Sequence, residues 1–236
     1  MSSSPRYIQI KQHILKNIHA KIWNTGDRIT TELELTREFD VSRMTVNKAI
    51  RDLVNEGILV RKPRLGTFVR EKEPKAESPL TGVSNIAEEI RSRGKTYSCR
   101  VNKLQIVTLD EHAATNLGLK ISDEAFYSEV IHYEDSVPIQ LEKRWVNQAQ
   151  VPQYLEQNFE TITPNQYLTS SCPLSTIEHT VEAVMPNPSI QNDLGMLAHQ
   201  PCLLLNRRTW SDTQLVSFAM LYHPADRYKL SSKINV

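Results

Sequence analysis

The sequence predicts an α+β chain of two domains: a small N-terminal module of three helices closed by a β-hairpin, then a larger domain on an antiparallel sheet. Three observations predict it. Residues 31–69 hold two capped amphipathic helices and a basic strand pair. A charged, proline-punctuated stretch at 71–79 has no large apolar residue and reads as an extended linker. Beyond it runs a weak internal repeat, in which Leu117 and Leu194, Phe126 and Leu203, and Asp135 and Asp212 are each 77 residues apart.

The first domain is expected to span 1–70. Pro5 to Trp23 reads as a helix with Ile10, Ile14, Leu15, Ile18 and Ile22 on one face, Pro5 sitting at the first turn, where its missing N–H costs nothing. Thr31-Glu32-Leu33-Glu34 is a capping box: the hydroxyl accepts from the Glu34 N–H and the carboxylate reaches back. Leu35 and Phe39 give that helix its apolar face, and Asp40-Val41 breaks it. Ser42 caps the next helix, where Val46, Ala49, Ile50, Leu53 and Val54 form a buried stripe. Its other face carries Arg43, Thr45, Asn47, Lys48 and Arg51. Gly57 suits the left-handed position that ends a helix. Ile58–Lys62 and Thr67–Arg70 then pair around Pro63-Arg64-Leu65-Gly66. A basic helix face followed by a basic hairpin is the layout of a winged helix-turn-helix that reads duplex DNA. The bland alternative, a small helical core with a solvated charged face, does not account for the Arg64-x-Gly66-Thr67 tip.

The second domain is expected to span 80–236. Ser84–Arg93 reads as a helix stopped by Gly94. The first repeat copy is a strand at 101–109, a helix ending at Asn116-Leu117-Gly118-Leu119, and a hairpin from Ala125 to Trp145 turning at Asp135-Ser136. The second is a strand at 177–185, a helix ending at Asp193-Leu194-Gly195-Met196, and a hairpin from Cys202 to His223 turning at Asp212-Thr213. Two such units make an antiparallel sheet with helices on one side. Between them, residues 154–159 and 164–168 are expected to be helical.

Composition sets the limits. Hydrophobic content of 39% and charged content of 23% are those of a globular protein, and 236 residues suffice for two domains. The net charge of +1 conceals an asymmetry: residues 1–75 hold 15 Lys+Arg against 9 Asp+Glu, and the remainder is acidic. A basic first third suits a nucleic-acid module joined to something else. Three dispersed cysteines form no C-x-x-C and point to a reducing, cytoplasmic setting without a disulfide framework. No signal peptide or membrane-length apolar run is present. No metal-binding histidine spacing, nucleophile elbow or glycine-rich phosphate loop occurs, so neither an enzyme nor a cofactor or metal is expected.

The run Gly26-Asp27-Arg28-Ile29-Thr30-Thr31-Glu32, then Val41-Ser42-Arg43-Met44-Thr45-Val46, Glu56-Gly57-Ile58-Leu59 and Gly66-Thr67-Phe68-Val69 resembles the GntR-type DNA-binding domain. Residues 79–236 resemble the UTRA effector-binding domain of one GntR branch, whose fold is similar to chorismate lyase. The likeness is carried by Val137–Glu142, Arg144–Asn147, Thr163-Pro164, Glu178-His179, Pro201–Leu205, Arg207–Ser211, His223-Pro224 and Arg227-Tyr228, and within the branch it points to the histidine-utilisation subgroup. The resemblance implies a repressor that binds double-stranded DNA at a near-palindromic operator as a homodimer.

On the DNA side the candidates are Arg28, Thr31, Ser42, Arg43, Thr45, Asn47, Lys48, Arg64, Gly66 and Thr67. Arg43 has the fork for guanine or phosphate, Arg28 and Lys48 are phosphate ligands, and Asn47, where many relatives carry a basic residue, suits adenine. In the second domain Gln140, Glu142 and Arg144 alternate with apolar neighbours. Spacing alone favours a solvated sheet face, whereas the resemblance turns that face toward a ligand. Sugar-phosphate-binding relatives have two arginines where this chain has Val130 and His132, so the effector is expected to lack a phosphate. Urocanate fits, with Arg144 or Arg207 for its carboxylate, Glu142 or Glu178 for its ring N–H, and His132, Tyr133 and Tyr222 as walls. The rival from another class is a lyase-like enzyme with a DNA-binding appendage.

Overall fold

The computed structural model describes residues 5–71, 75–79 and 85–232. The chain divides into two compact units, 1–73 and 74–236.

In the first unit, helices α1 (Arg6–His19), α2 (Glu32–Phe39) and α3 (Arg43–Asn55) precede a hairpin of β1 (Leu59–Lys62) and β2 (Gly66–Val69). Ile10 and Ile14 of α1, Leu35 of α2, and Val46, Ala49, Ile50 and Leu53 of α3 meet in one core with Leu59 and Val69. The Thr31 capping box is present, with both reciprocal bonds formed. Asp40 makes the turn in left-handed conformation at φ 48°, and Gly57, at φ 69°, ends α3 as expected. The first helix is shorter than expected. It stops at His19, Lys21 follows in left-handed conformation, and Ile22 lies outside the apolar face, 64% exposed.

The second unit is built on one six-stranded antiparallel sheet of β4 (Tyr97–Thr108), β5 (Glu124–Glu134), β6 (Val137–Val146), β7 (Thr176–Val184), β8 (Cys202–Ser211) and β9 (Gln214–Pro224), in the order β4-β5-β6-β9-β8-β7. The repeat is visible in this order. Leu141 pairs with Tyr222 and Trp145 with Phe218 at the β6–β9 seam. A shift of 77 carries 141 and 145 onto 218 and 222, so the repeat maps the seam onto itself. The hairpin turns match as well, with Asp135 at φ 48° and Asp212 at φ 51°. Helices α5 (Glu111–Leu117) and α7 (Pro188–Asp193), one from each copy, pack on the same face. Ala113, Ala114 and Leu117 meet Ala125 and Phe218, while Ile190 and the adjoining Leu194 meet Ile131, Leu141 and Tyr222.

The opposite face is also covered, contrary to the expectation of helices on one side. Helix α4 (Ile86–Ser92) lays Ile86 and Ile90 against Ile139 and Tyr228. Residues 151–172, including a 3-10 turn at Tyr154–Glu156 and helix α6 (Pro164–Ser171), cover Phe126 and Val146 with Tyr154, Phe159 and Leu168. Residues 125–132 of β5 are buried without alternation, the signature of a strand covered on both faces. The linker expectation also needs correction. Its far end, Ala76–Pro79, is a strand (β3) paired in parallel with β10 (Tyr228–Ser231), and Ala76 belongs to the α4 core. Ala76 is the register partner of Tyr228 and shares that core with Ile86. Residues 72–74 and Ser84, the expected start of α4, lie outside the described residues; Asn85 caps that helix.

Candidate functional site

Two places in the molecule bring predicted residues together. The first is the outer surface of α3 and the hairpin. Because Val46, Ala49, Ile50 and Leu53 fix the inner face, Arg43, Met44, Lys48 and Arg51 are left exposed, with Thr45 and Asn47 half-buried beside them. Ser42 caps α3 by accepting from the Thr45 N–H, and its Oγ lies 3.0 Å from Thr45 Oγ1. Lys48 Nζ rests 3.8 Å from the centre of the Tyr7 ring, which holds the ammonium against α1 without neutralising it. The hairpin tip presents Lys62, Arg64 and Leu65 to solvent, with Arg64 in left-handed conformation at φ 63°.

Gly66 has a reason beyond an open backbone. At φ 120° residue 66 is in a conformation that other residues rarely adopt, and a Cβ there would lie 2.7 Å from Arg28 Nε, so the Arg28 side chain would have to shift. Two predicted residues are already occupied. The Thr31 hydroxyl is engaged with Glu34 at 2.7 Å. Thr67 is buried beneath the hairpin, so its side chain is not offered to a ligand: alternation along β2 sends 67 and 69 inward. Sequence reasoning passed over Met44. It stands 83% exposed at the first turn of α3, and the only signal was an apolar residue outside the buried stripe.

The second place is the sheet face under α4 and α6. Gln140, Glu142 and Arg144 of β6 all point there and all are buried. A β-bulge between His132 and Tyr133 leaves Ile139 as the extra residue, which lets both Ile139 and Gln140 face α4. From β8 comes Arg207, and from β9 come Ser217 and His223. Ala219 is the register partner of both Arg144 and Arg207, and this small residue leaves room for two guanidinium groups on one face.

The bonds define the chemistry. Arg144, 1% exposed, donates from Nε to Glu142 Oε1 at 2.6 Å and from Nη1 to Ser217 Oγ at 3.0 Å. His132 Nε2 lies 3.4 Å from Glu142 Oε2, and its Nδ1 is 3.0 Å from the Tyr97 hydroxyl. Burial alone would raise the Glu142 pKa, but the charge of Arg144, then His132, holds it at about 2. Glu142 is therefore an anion, with Oε1 held by Arg144 and Oε2 facing His132. Arg207 donates from Nε to His179 Nε2 at 2.8 Å and from Nη1 to Asn165 Oδ1 at 3.2 Å. Neither of these contacts is an anion. Its burial first, then the nearby charge of Arg144, push its pKa down to about 10. His223 sits 3.1 Å from Gln140 Nε2, and burial followed by the charge of Arg207 pushes its pKa down to about 3.

Against this layer lies a cavity of about 30 Å³, room for little more than water. Arg207, Glu142, Gln140 and His223 line it from the sheet, Glu89 and Ile86 from α4, Asn165 from α6, and Ser78, Tyr228 and Leu230 from the β3–β10 pair. Of the predicted effector residues, Glu142 and Arg207 reach the cavity. His132 and Arg144 stand in the network behind it. Tyr133 and Tyr222 do not belong: they pack on the α7 side of the sheet with Ile131 and Leu141. Glu178 does not belong either, since its side chain is 54% exposed on edge strand β7, 3.4 Å from Arg208. Strand parity explains all three. Sequence reasoning missed Ser78, Glu89, Asn165 and Tyr228, which sit on elements far apart in the chain and carry no common motif.

Comparison with known proteins gives the following. Residues 6–69 match the model for bacterial regulatory proteins of the gntR family, and residues 92–229 match that for the UTRA domain. The histidine utilization repressor of Klebsiella aerogenes is 44% identical over 98% of this chain and 95% of its own length. That of Pseudomonas putida is 41% identical over 98% and 93%. The crystal structure of the C-terminal domain of the histidine utilization repressor from Pseudomonas syringae pv. tomato superposes with a TM-score of 0.58 at 35% identity. It covers 60% of this chain and all of that one.

Proposed function

The chain belongs to the gntR family of bacterial regulatory proteins and carries a UTRA domain, and on that footing we propose that it is a DNA-binding transcriptional repressor of histidine-utilisation genes. It binds a palindromic operator as a homodimer, because one winged module of this size covers a single half-site. Arg43, Thr45, Asn47 and Lys48 of α3 enter the major groove or meet its phosphates, and Arg28 with the Arg64–Gly66 tip engages the backbone beside it. The effector is urocanate, a carboxylate joined to an imidazole.

The observation that carries the effector reading is Arg207. It is buried on the cavity wall with neutral direct partners, whereas Arg144 already holds Glu142. An anion entering the cavity meets Arg207 first, so Arg207 takes the carboxylate and Arg144 keeps Glu142 in place. Val130 and His132 are both wholly buried in this layer, and neither supplies the paired guanidinium clamp that a phosphate dianion needs. The ligand-free cavity is too small for urocanate, so binding requires it to widen. A ligand that binds only the widened form biases the protein toward it, and this is how effector occupancy changes DNA affinity.

The experiment is operator binding by the full chain, measured by fluorescence anisotropy with and without urocanate. Urocanate is expected to weaken operator binding at least tenfold, and glucosamine 6-phosphate is expected to do nothing. Weakening by the sugar phosphate alone would reject the effector reading and leave the repressor reading standing.

A further inference from the structure

The outer face of α3 holds one side chain to which no polar contact gives a part. Met44 is 83% exposed, more than any other large hydrophobic among the described residues. At about 3.6 residues per turn it stands opposite the buried stripe of Val46, Ala49, Ile50 and Leu53, so it points directly away from the core. Arg43 precedes it, Asn47 and Lys48 lie one turn further along the same face, and Arg51 follows another turn on. Residues 43–51 contain no acidic side chain. The Ser42 cap, which accepts from the Thr45 N–H at 3.3 Å, keeps this first turn helical. An apolar thioether is thereby held at the centre of a polar and cationic surface that suits a polyanion.

Its neighbours identify what covers it. The cations complement phosphates, and the N-terminal residues of a recognition helix meet base edges in the major groove. A methionine has no strong donor or acceptor, so a polar base edge beneath it loses its water and gains no partner. The C5 methyl of thymine is the apolar group that major-groove edges present. Resting on the DNA-binding reading above, we propose that Met44 is a specificity-determining residue that packs on a thymine C5 methyl in the major groove. Both apolar groups leave water on contact, which favours thymine at that position. The other bases place an unsatisfied polar edge there and are disfavoured.

The test uses the full chain and synthetic duplexes. Wild type first selects its site from a random duplex library. Each thymine of that site is then replaced singly by deoxyuridine, which lacks only the methyl group, and affinities are read by fluorescence anisotropy. Wild type is expected to lose about fourfold at one thymine of a half-site, the effect of one buried methyl group. Met44→Ser is expected to bind the thymine and uracil forms of that site equally, at an unchanged melting temperature. A thymine-to-uracil loss that persists in Met44→Ser would assign the methyl to another side chain, and no loss at any thymine in wild type would mean that no methyl is read. Either result overturns the proposal while the DNA-binding reading stands. Failure of the library to yield a common sequence overturns that reading and this proposal with it.

Discussion

Arg144 and Arg207 share a residue type and a sheet face, yet their roles differ because their partners differ. Arg144 is half of a buried ion pair, and removing one half strands the other in a low-dielectric layer. Arg144→Ala is therefore expected to destabilise the second unit by about 3–5 kcal/mol, visible as a lowered melting temperature before any ligand is added. Arg207→Met should cost less stability and more ligand affinity. A melting temperature unchanged in Arg144→Ala would refute the assignment of Arg144 as structural. His223 makes a prediction about pH. Its folded pKa of about 3 lies below the ordinary value of 6.5, so the unfolded chain binds the extra proton between these values. The stability it contributes is present above pH 6.5 and is lost as pH falls toward 3, at about 1.4 kcal/mol per pH unit once fully in the window. Glu142, held at about 2 against 4.5, adds to that loss below pH 4.5. His223→Gln should flatten the upper part of this slope in pH-dependent urea melts, and an unchanged slope between pH 6 and 5 would exclude it. On the DNA side, Arg43→Ala is expected to weaken operator binding by about 1–3 kcal/mol with no change in melting temperature, since the side chain is exposed. Loss of stability with retained binding would remove Arg43 from the interface.

At the scale of elements, the capping box on α2 and the hairpin after α3 were legible because their chemistry is local. Thr31-x-x-Glu34 satisfies orphan N–H groups within one turn, so four residues of sequence are enough to find it. Thr31→Ala is expected to cost about 1 kcal/mol of stability in thermal melts, whatever DNA does. Gly66 gives the wing its positive-φ turn, and Arg64→Ala should reduce the salt slope of operator binding by about one unit if that side chain neutralises one phosphate. An unchanged slope would make Arg64 a groove reader. In the second unit, strand existence and the two hairpin turns were equally legible: Asp135 and Asp212 sit in left-handed conformations that short polar residues tolerate. Strand facing was less so. The bulge opposite Tyr133 places Ile139 and Gln140 on one side, and a period-2 reading cannot anticipate one extra residue.

At the scale of the whole molecule, the repeat accounts for half of the second unit's architecture. Its self-mapping seam puts α5 and α7 on a common face, and the repeat shift requires that. The other face is covered by segments outside the repeat, α4, α6 and the β3–β10 pair, and the cavity lies under them. Because β3 begins at Ala76, just inside the second unit, its Ser78 brings the cavity wall within a few residues of the junction between the units. If the effector acts through Ser78, its effect on operator binding depends on that side chain. Ser78→Ala is expected to leave DNA binding without effector intact and to reduce the effect of urocanate on it several-fold, measured as the ratio of operator affinities with and without urocanate. An unchanged ratio would rule out this route. A homodimer further predicts that the melting temperature rises with protein concentration.

The sequence by itself determined the winged helix-turn-helix, its exposed basic face, the paired strand–helix–hairpin units and the family likeness. Each of these rests on periodicity, caps or turns acting over a few residues, or on motif order along the chain. Tertiary structure alone decided which polar residues meet. Glu89, Asn165, Arg207 and Tyr228 lie scattered over 140 positions and touch one cavity only because α4, α6 and β10 fold onto the same sheet face. It also decided between like residues: Glu178 and Tyr222 have the right chemistry, but one sits on an exposed edge strand and the other points to the α7 side. Side-chain facing in a two-sided sheet depends on bulges and on what covers each face, and those are long-range packing outcomes that no local pattern encodes.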